Sequence, residues 1–307
     1  MVEILDCTLR DGGYQNAWNF PKDLIDDYII AMNSLPVDYL EIGFRTPRNV
    51  LPSCANATDD FVRTLPKNQK KLCVMVNASE LNPSSLEIMF PQNSLISVVR
   101  IAFHYHEILT AAPLIKQLHN KGLEIMVNIM QASLRSYSEL ADAAMFFSTL
   151  PISVIYIADS LGGMSPKDVS NALSALRSQW QGKIGVHAHN SRGLALANSI
   201  QALSENTIVD CTILGMGRGP GNTRTEQLLP DLFPNLNTQP LLTIMKRFAI
   251  LQEKLGWGPN PIYHLAALHN IHPTYVYEMI GSGLSLSDIA RILPKLNGLN
   301  QFDRNRL

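Results

Sequence analysis

Residues 154–187, VIYIADSLGGMSPKDVSNALSALRSQWQGKIGVH, contain a structural unit that recurs along the chain. The stretch begins with an apolar run at 154–158 and ends with another at 183–187, which predicts two strands buried on both faces. Between them, an amphipathic segment at 166–179 begins at a Ser-Pro pair, a common start of a helix. A strand, a helix and a second strand in this order indicate an α/β fold with parallel strands.

The same alternation accounts for most of the chain. Further apolar runs predict strands at 3–8, 39–44, 71–77, 97–103, 124–129 and 208–214. Further amphipathic stretches predict helices at 22–34, 58–65, 83–89, 107–120, 137–147 and 194–204. Eight strands that alternate with helices over roughly 235 residues predict a (β/α)8 TIM barrel. An open doubly wound sheet usually needs fewer strands, and the first strand–helix loop lacks the G-x-G-x-x-G nucleotide fingerprint.

The last part of the chain has a different pattern. From Thr238 onward it contains helical stretches only, separated by glycine and proline. We therefore expect a TIM-barrel catalytic domain at residues 1–235 and a helical C-terminal extension at residues 236–307.

The composition excludes several classes of protein. Of the 307 residues, 46% are hydrophobic and 17% are charged, and the formal net charge is −1. The hydrophobic fraction excludes a disordered chain, and the near-neutral charge argues against a nucleic-acid-binding protein. No apolar run is uninterrupted enough to predict a membrane span. The widely spaced cysteines and the absence of a recognisable secretory signal indicate reduced thiols and a cytoplasmic protein.

Candidate functional residues follow the first and seventh strands, where a TIM barrel carries its active site. Arg10 and Asp11 follow the first strand, and His187 and His189 end the seventh. Residues two apart on a strand point to the same side, so the two imidazoles and a carboxylate would form a metal site with open positions. For the histidines alone, a polar strand end is an equal alternative. Their combination with Arg10 and Asp11 favours the metal site.

A glycine-rich segment, GMGRGPGN at 215–222, follows the last strand and precedes a helix. Its four glycines allow the backbone to pass close to a ligand, and a helix N-terminus favours anions. Arg218 and Arg224 add positive charge, although a solvated side chain explains Arg224 equally well.

Together these motifs resemble the DRE-TIM metallolyase superfamily, which includes 4-hydroxy-2-oxovalerate aldolases, 3-hydroxy-3-methylglutaryl-CoA (HMG-CoA) lyase, and isopropylmalate and homocitrate synthases. The resemblance extends from residue 3 to near residue 230 and is strongest to the 4-hydroxy-2-oxovalerate aldolase and HMG-CoA lyase-like branch. The motifs that carry it are Asp6-Cys-Thr-Leu-Arg-Asp-Gly12, Glu41-x-Gly43, Arg100-Ile-Ala-Phe-His104, Asp159-Ser160, His187-x-His189-Asn190 and Gly217-x-Gly-x-Gly221-Asn222-x-x-x-Glu226.

The resemblance implies a divalent cation held by Asp11, His187 and His189. Asn222 is expected to join them, either directly or through one of the other ligands. Mn²⁺ and Mg²⁺ are the usual metals of the superfamily, and oxygen and imidazole ligands are also compatible with Zn²⁺ or Fe²⁺.

The resemblance also implies an aldolase that makes or breaks a carbon–carbon bond next to the enolate of pyruvate or a related 2-oxo acid. The metal would act as a Lewis acid at the enolate oxygen, and Arg10 would place a second positive charge there. Glu41 would orient Arg10, Ser160 would hold the substrate carboxylate, and Arg218 would contribute to substrate binding. The small-molecule ligands would be a 2-oxo acid and an aldehyde.

One position departs from the aldolase pattern. Aldolases of this branch have a histidine three residues after the signature aspartate as the proton-transfer base, whereas this chain has Tyr14. A phenol titrates near pH 10, so an unperturbed tyrosine is a poor base at neutral pH. Three explanations remain open: a Tyr14 tuned by the metal and Arg10, a metal-bound water, or His104 on the fourth strand with His106 beside it.

Two further groups of residues bear on the substrate. Related aldolases have a C-terminal helical region that supplies a tyrosine above the site; Tyr275 or Tyr277 is the candidate here, with packing against the barrel as the alternative. Arg45, Arg218 and Arg224 suggest a substrate more anionic than 4-hydroxy-2-oxovalerate.

Two other functions compete with the aldolase. One is a transferase that condenses an acyl-CoA with a 2-oxo acid, but such synthases usually have glutamate where this chain has Gly13, and the extension is short for their regulatory domain. The other is a catalytically silent metal-binding subunit, suggested by the missing base histidine. By analogy alone, we also expect a homo-oligomer and name a dehydrogenase as candidate partner.

Overall fold

The computed structural model describes residues 2–48, 50, 52–204 and 206–306. Eight parallel strands, β1 to β8 in chain order, close into a barrel in which β8 pairs with β1. The predicted TIM barrel is thereby confirmed. The strands are Glu3–Asp6, Tyr39–Phe44, Lys71–Asn77, Val98–Phe103, Glu124–Ile129, Val154–Asp159, Lys183–Ala188 and Thr207–Cys211.

Helices surround the barrel and follow it toward the C-terminus. In the described ranges, α1 to α9 are Thr8–Asp11, Lys22–Asn33, Asp59–Arg63, Pro83–Met89, Ala111–Asn120, Tyr137–Phe147, Pro166–Arg177, Ala195–Gln201 and Thr225–Leu232. The helices of the extension, α10 to α13, are Gln239–Leu255, Pro261–Leu268, Pro273–Gly281 and Leu286–Ile292. None of these helices combines the length and the hydrophobicity that a bilayer crossing requires.

The first and last strands are shorter than the sequence predicts, and both end in turns that bear on the site. Asp6 Oδ1 accepts hydrogen bonds from the backbone and the hydroxyl of Thr8, at 2.9 and 2.5 Å, which turns the chain into α1. After β8, Leu214 takes a left-handed backbone conformation with φ of 52°. The chain therefore leaves the barrel wall after Asp6 and after Cys211, at the carboxyl ends of β1 and β8.

The interior of the barrel is layered. An apolar layer includes Tyr39 on β2, Val98 on β4 and Ile208 on β8. Two residues further along these strands, on the same side of the sheet, stand Glu41, Arg100 and Asp210. The period of two thus places a charged layer directly above the apolar one, toward the carboxyl ends of the strands. All four cysteines are buried free thiols: Cys7 and Cys73 belong to this interior cluster, and Cys54 and Cys211 belong to the larger apolar core.

The extension has a small apolar core of its own. Residues of α11, α12 and α13 pack around Tyr275 and Val276. By contrast, Leu241, Ile244 and Phe248 of α10 join the core of the barrel. The boundary at residue 235 stays a prediction.

Candidate active site

Three side chains that can bind a metal converge at the carboxyl ends of β1 and β7. Asp11 ends α1, and His187 and His189 lie at the end of β7 and just after it. The Nε2 atoms of His187 and His189 are 4.0 and 3.7 Å from Asp11 Oδ2. All three residues are buried. The structure thus brings together the three candidate ligands of the sequence.

Each histidine is held in one tautomer by its other ring nitrogen. His187 Nδ1 lies 2.8 Å from Asp210 Oδ2. Burial opposes ionisation of Asp210, but Arg100 and His187 lower its pKa, so it is a carboxylate and Nδ1 must donate. His189 Nδ1 lies 3.0 Å from the backbone carbonyl of Asp159, which can only accept. Nε2 of both histidines therefore carries a lone pair on the side of Asp11.

Asn222 lies directly against these ligands. Its Nδ2 donates to Asp11 Oδ2 at 2.6 Å and to the carbonyl of Met216 at 3.2 Å. Its Oδ1 is buried and, like Nε2 of His189, has no hydrogen-bond partner in the part of the chain that the structure describes. Buried acceptors without partners are costly, and a cation held by carboxylate, imidazole and amide ligands would satisfy both. The residues present therefore fit a divalent metal.

A chain of ion pairs lies beneath these ligands, inside the barrel. Glu41 Oε2 accepts from Arg10 Nε at 2.6 Å, and its Oε1 lies 3.0 Å from Arg100 Nε. Arg100 Nη1 donates to Asp210 Oδ2 at 2.6 Å. Arg100 thus links the carboxylate that holds Arg10 to the carboxylate that orients His187.

Arg10 places a positive charge beside the candidate metal ligands. It pairs with Asp11 as well as Glu41. Burial raises the pKa of Asp11, but the charge of Arg10 outweighs burial and holds that pKa well below its usual range. Nη2 of Arg10 is buried with no partner among the described residues. One donor of this guanidinium is therefore left for a substrate oxygen.

Tyr14 lies in the turn that follows α1. Its ring packs edge-on against Trp18 and Phe44, with centroid distances of 4.8 and 6.2 Å. Burial raises the pKa of Tyr14 although Arg218 and Arg10 oppose the shift. The phenol is therefore protonated at neutral pH, which argues against the explanation in which Tyr14 is the base.

His104 immediately follows β4 and is half-buried. Its ring stacks on that of His106 with centroids 5.7 Å apart. Burial lowers the pKa of His104, so its imidazole is neutral at pH 7 and can accept a proton. The structure therefore favours His104 over Tyr14 as a proton acceptor.

Ser160 is buried at the end of β6. Its Oγ accepts from the backbone N–H of Gln131 at 2.9 Å. The hydroxyl hydrogen therefore remains free to donate to a carboxylate.

Several of the other candidates are engaged elsewhere. Arg45 is buried, pairs with Asp59 at 2.5 Å and donates to backbone carbonyls, so its guanidinium is engaged within the protein. Arg224 lies 3.6 Å from Glu226. Tyr275 is buried in the core of the extension, and Tyr277 is 39% exposed.

Sequence reasoning gave no role to Arg100, Asp210 or His272. Arg100 stood in a family motif, but its partners come from β2 and β8, and that pairing depends on the register across the closed barrel. His272 lies in the extension, and nothing in the local sequence indicates that it comes close to Arg218 and His189. A charged residue on a strand predicted to be buried on both faces is the one signal that could have identified Arg100 and Asp210.

Residues 1–238 match the family model described as HMGL-like. A 4-hydroxy-2-oxovalerate aldolase of Geobacillus genomosp. 3 is 28% identical over 236 residues, which is 75% of this chain and 70% of that protein. An oxaloacetate decarboxylase of Mycobacterium tuberculosis is 25% identical over 236 residues, 75% of this chain and 69% of the relative.

Solved structures agree with the sequence comparison. The N-terminal domain of a candidate aldolase from Bacteroides vulgatus superimposes with a TM-score of 0.85 at 33% identity, covering 94% of this chain and 99% of that one. An HMG-CoA lyase from Brucella melitensis shares the fold, with a TM-score of 0.67 at 18% identity over 82% of this chain and 99% of its own.

Proposed function

The chain belongs to the HMGL-like family, and on that premise we propose that it is a divalent-metal-dependent carbon–carbon lyase that cleaves a 4-hydroxy-2-oxo acid to pyruvate, or a related 2-oxo acid, and an aldehyde. The observation that carries the proposal is the pair of histidine lone pairs that face the Asp11 carboxylate, with Arg10 alongside. Relatives named as aldolases support the same class of reaction.

Asp11, His187, His189 and Asn222 would hold the cation. When bound, a divalent metal acts as a Lewis acid toward a 2-oxo acid and stabilises negative charge at the keto oxygen. Mn²⁺ or Mg²⁺ is the ion we propose.

Arg10 and Ser160 would position the 2-oxo acid. The unpaired Nη2 of Arg10 would donate to the keto oxygen, where negative charge grows as the bond breaks, and Glu41 keeps the guanidinium from turning away. The free hydroxyl hydrogen of Ser160 would donate to the substrate carboxylate. Together these two contacts would hold the 2-oxo acid in one orientation.

His104 would remove the proton from the C4 hydroxyl group. The C4–C3 bond then breaks, its electron pair forms the enolate of the 2-oxo acid, and the C4 carbon leaves as an aldehyde. Tyr14, a protonated phenol, would donate a hydrogen bond and does not compete with His104 for the proton.

A contact at Gly13 disfavours the condensing transferase. A Cβ atom at this position would lie 2.0 Å from Cδ1 of Trp18, whose Nε1 donates to the carbonyl of Arg10 at 2.8 Å. A glutamate, the residue usual in those synthases, has no space there unless Trp18 moves.

The proposal is tested with metal-free protein reconstituted with Mn²⁺ or Mg²⁺ and supplied with 4-hydroxy-2-oxo acids, with pyruvate release as the readout. We expect release that excess chelator abolishes and that Asp11→Ala removes; full activity in chelator would overturn the proposal. Calorimetry with Mn²⁺ on the same samples distinguishes an active lyase from a silent metal-binding subunit, because the silent subunit binds the ion but releases no pyruvate.

A further inference from the structure

Arg218 is a cation without an anionic partner at the barrel mouth. Its guanidinium carbon lies 5.1 Å from the centre of the Tyr14 ring, and no carboxylate within the described ranges pairs with it. Its Nε is buried and has no hydrogen-bond partner in the same part of the chain. Arg45 and Arg224, the other two arginines that the sequence suggested for substrate binding, both have carboxylate partners. Arg218 alone of the three is available to a ligand.

The loop that carries Arg218 is pressed against the candidate metal ligands. A Cβ atom at Gly217 would lie 2.2 Å from Asn222 Nδ2 and 2.7 Å from Asp11 Oδ2, so only glycine allows this approach. The carbonyl of Gly217 accepts from Gln15 Nε2 at 2.5 Å, which fixes the loop. Arg218 therefore directly follows a residue that packs against Asn222 and Asp11, which puts it beside the candidate metal site.

The extension covers this loop. A Cβ atom at Gly219 would lie 2.9 Å from the ring of Tyr263 on α11, and the N–H of Gly258 donates to the carbonyl of Gly219 at 3.4 Å. The side chain of Gln131, after β5, donates to the carbonyl of Asn300 on the opposite side. The extension thus covers the barrel mouth.

His272, at the start of α12, lies close enough to Arg218, His189 and His104 for their charges to act on its imidazole. Burial, together with Arg218, His189 and His104, lowers the pKa of His272 to about 2, so the imidazole is neutral. Its Nδ1 accepts from the backbone N–H of Thr274 at 3.3 Å. The single ring proton is therefore on Nε2, which can donate to a ligand.

The balance of charge points the same way. In the network from Arg10 to Asp210, two arginines face three carboxylates, which leaves one negative charge in excess. A divalent cation together with the carboxylate of one 2-oxo acid would neutralise that excess. The charge of Arg218 would then remain uncompensated in a site that the extension covers, and an unpaired charge shielded from water is costly.

We propose that Arg218 and His272 form a subsite for a second anionic group. The enzyme would then act on 2-oxo acids that carry a carboxylate or phosphate at the end of the carbon chain opposite to the 2-oxo acid group. The proposal rests on the proposed lyase function and names its substrate class. The guanidinium supplies the charge, and the imidazole of the extension supplies a neutral donor.

For a dicarboxylic substrate the reaction balances without any co-reactant. In 4-hydroxy-2-oxoglutarate the C4 hydroxyl loses its proton to the base and the C3–C4 bond breaks. The electron pair of that bond forms the enolate of pyruvate, which takes up the proton at C3. The products are pyruvate and glyoxylate, and the carboxylate that Arg218 would bind leaves with the aldehyde.

The experiment uses two substrates that differ only at C5, where 4-hydroxy-2-oxoglutarate has a carboxylate and 4-hydroxy-2-oxovalerate has a methyl group. We expect the wild-type enzyme to have a kcat/KM at least about tenfold higher for the dianion, because a charge-assisted hydrogen bond contributes a factor of this size. Arg218→Gln should lower that selectivity ratio by about 10- to 100-fold. His272→Asn, which preserves a cap for α12, should lower it by a smaller factor.

Two further measurements keep the test decisive. The matched control, Arg224→Gln, removes an arginine of the same segment that already pairs with Glu226, and should leave the selectivity ratio unchanged.

The non-cleavable acids 2-oxoglutarate and 2-oxovalerate report binding at the subsite without catalysis when they are titrated by calorimetry into the Mn²⁺-loaded protein. Equal affinity for both acids, or a preference that Arg218→Gln does not change, would overturn the subsite. Preferential 2-oxoglutarate binding without cleavage of any hydroxy acid would uphold the subsite and overturn the lyase. A phosphorylated 4-hydroxy-2-oxo acid preferred over the dicarboxylate would identify the anion as phosphate.

Discussion

Asp210 accepts a hydrogen bond from His187 Nδ1 at 2.8 Å. This contact decides which nitrogen of the imidazole is free to bind a metal. An acceptor on a histidine ligand fixes the tautomer and the orientation of the ring, and its loss typically weakens metal binding by about 10- to 100-fold.

Asp210→Asn is therefore expected to weaken Mn²⁺ binding by about 10- to 100-fold. The amide can donate to Nδ1 and place the ring proton on Nε2, where it blocks coordination. Calorimetric titration with Mn²⁺ measures the effect, and Asp59→Asn, in the ion pair with Arg45 outside the mouth, is the control. Unchanged affinity in Asp210→Asn would show that His187 does not bind the ion.

Arg100 is expected to be the most costly charge to remove from the barrel. Arg100→Met would leave Glu41 and Asp210 buried with one cation fewer between them, and breaking a buried ion pair in this way costs about 3–5 kcal/mol. Denaturant unfolding measures the loss. Arg63→Met, which breaks an exposed pair with Asp60, should change the free energy of unfolding by less than about 1 kcal/mol. Similar losses in the two variants would contradict the prediction.

Gly13→Ala tests whether Trp18 closes the space beside Arg10. The new methyl group would lie 2.0 Å from the indole, so the ring must move and its hydrogen bond to the carbonyl of Arg10 must break. We expect a shift in tryptophan fluorescence and a loss of about 1–3 kcal/mol in stability, as for other overpacked positions. Gly281→Ala, whose methyl group meets nothing within 4 Å, is the control. Wild-type fluorescence and stability in Gly13→Ala would show that the space is open.

The sequence predicted the barrel because each strand and helix has a local pattern, and it identified the candidate metal ligands Asp11, His187 and His189 because they lie in two short motifs. The ion pairs of Arg100 were not predictable in the same way. They join three strands that are distant along the chain, and only the register of the closed barrel shows that Glu41 and Asp210 stand at one level. His272 was missed for a related reason, since its proximity to Arg218 depends on how the extension packs on the loop after β8.

The pH dependence of the reaction distinguishes His104 from Tyr14 as the base. A base must be unprotonated, so kcat/KM falls as the pH drops below the pKa of the group. Burial lowers the pKa of His104 from 6.5, which puts this acidic limb below pH 6.5, whereas the raised pKa of Tyr14 puts its ionisation above pH 10. His104→Asn should remove the limb and lower kcat by about 10²- to 10⁴-fold.

Tyr14→Phe is the companion variant, because it removes the hydroxyl and keeps the ring beneath Arg218. It should lower kcat by a smaller factor and leave the acidic limb in place, since a phenol that remains protonated up to pH 10 contributes no inflection below that pH. Profiles of kcat/KM from pH 5 to pH 9 measure both variants. A limb that persists in His104→Asn and vanishes in Tyr14→Phe would reverse the assignment, because the proton would then pass through the phenol.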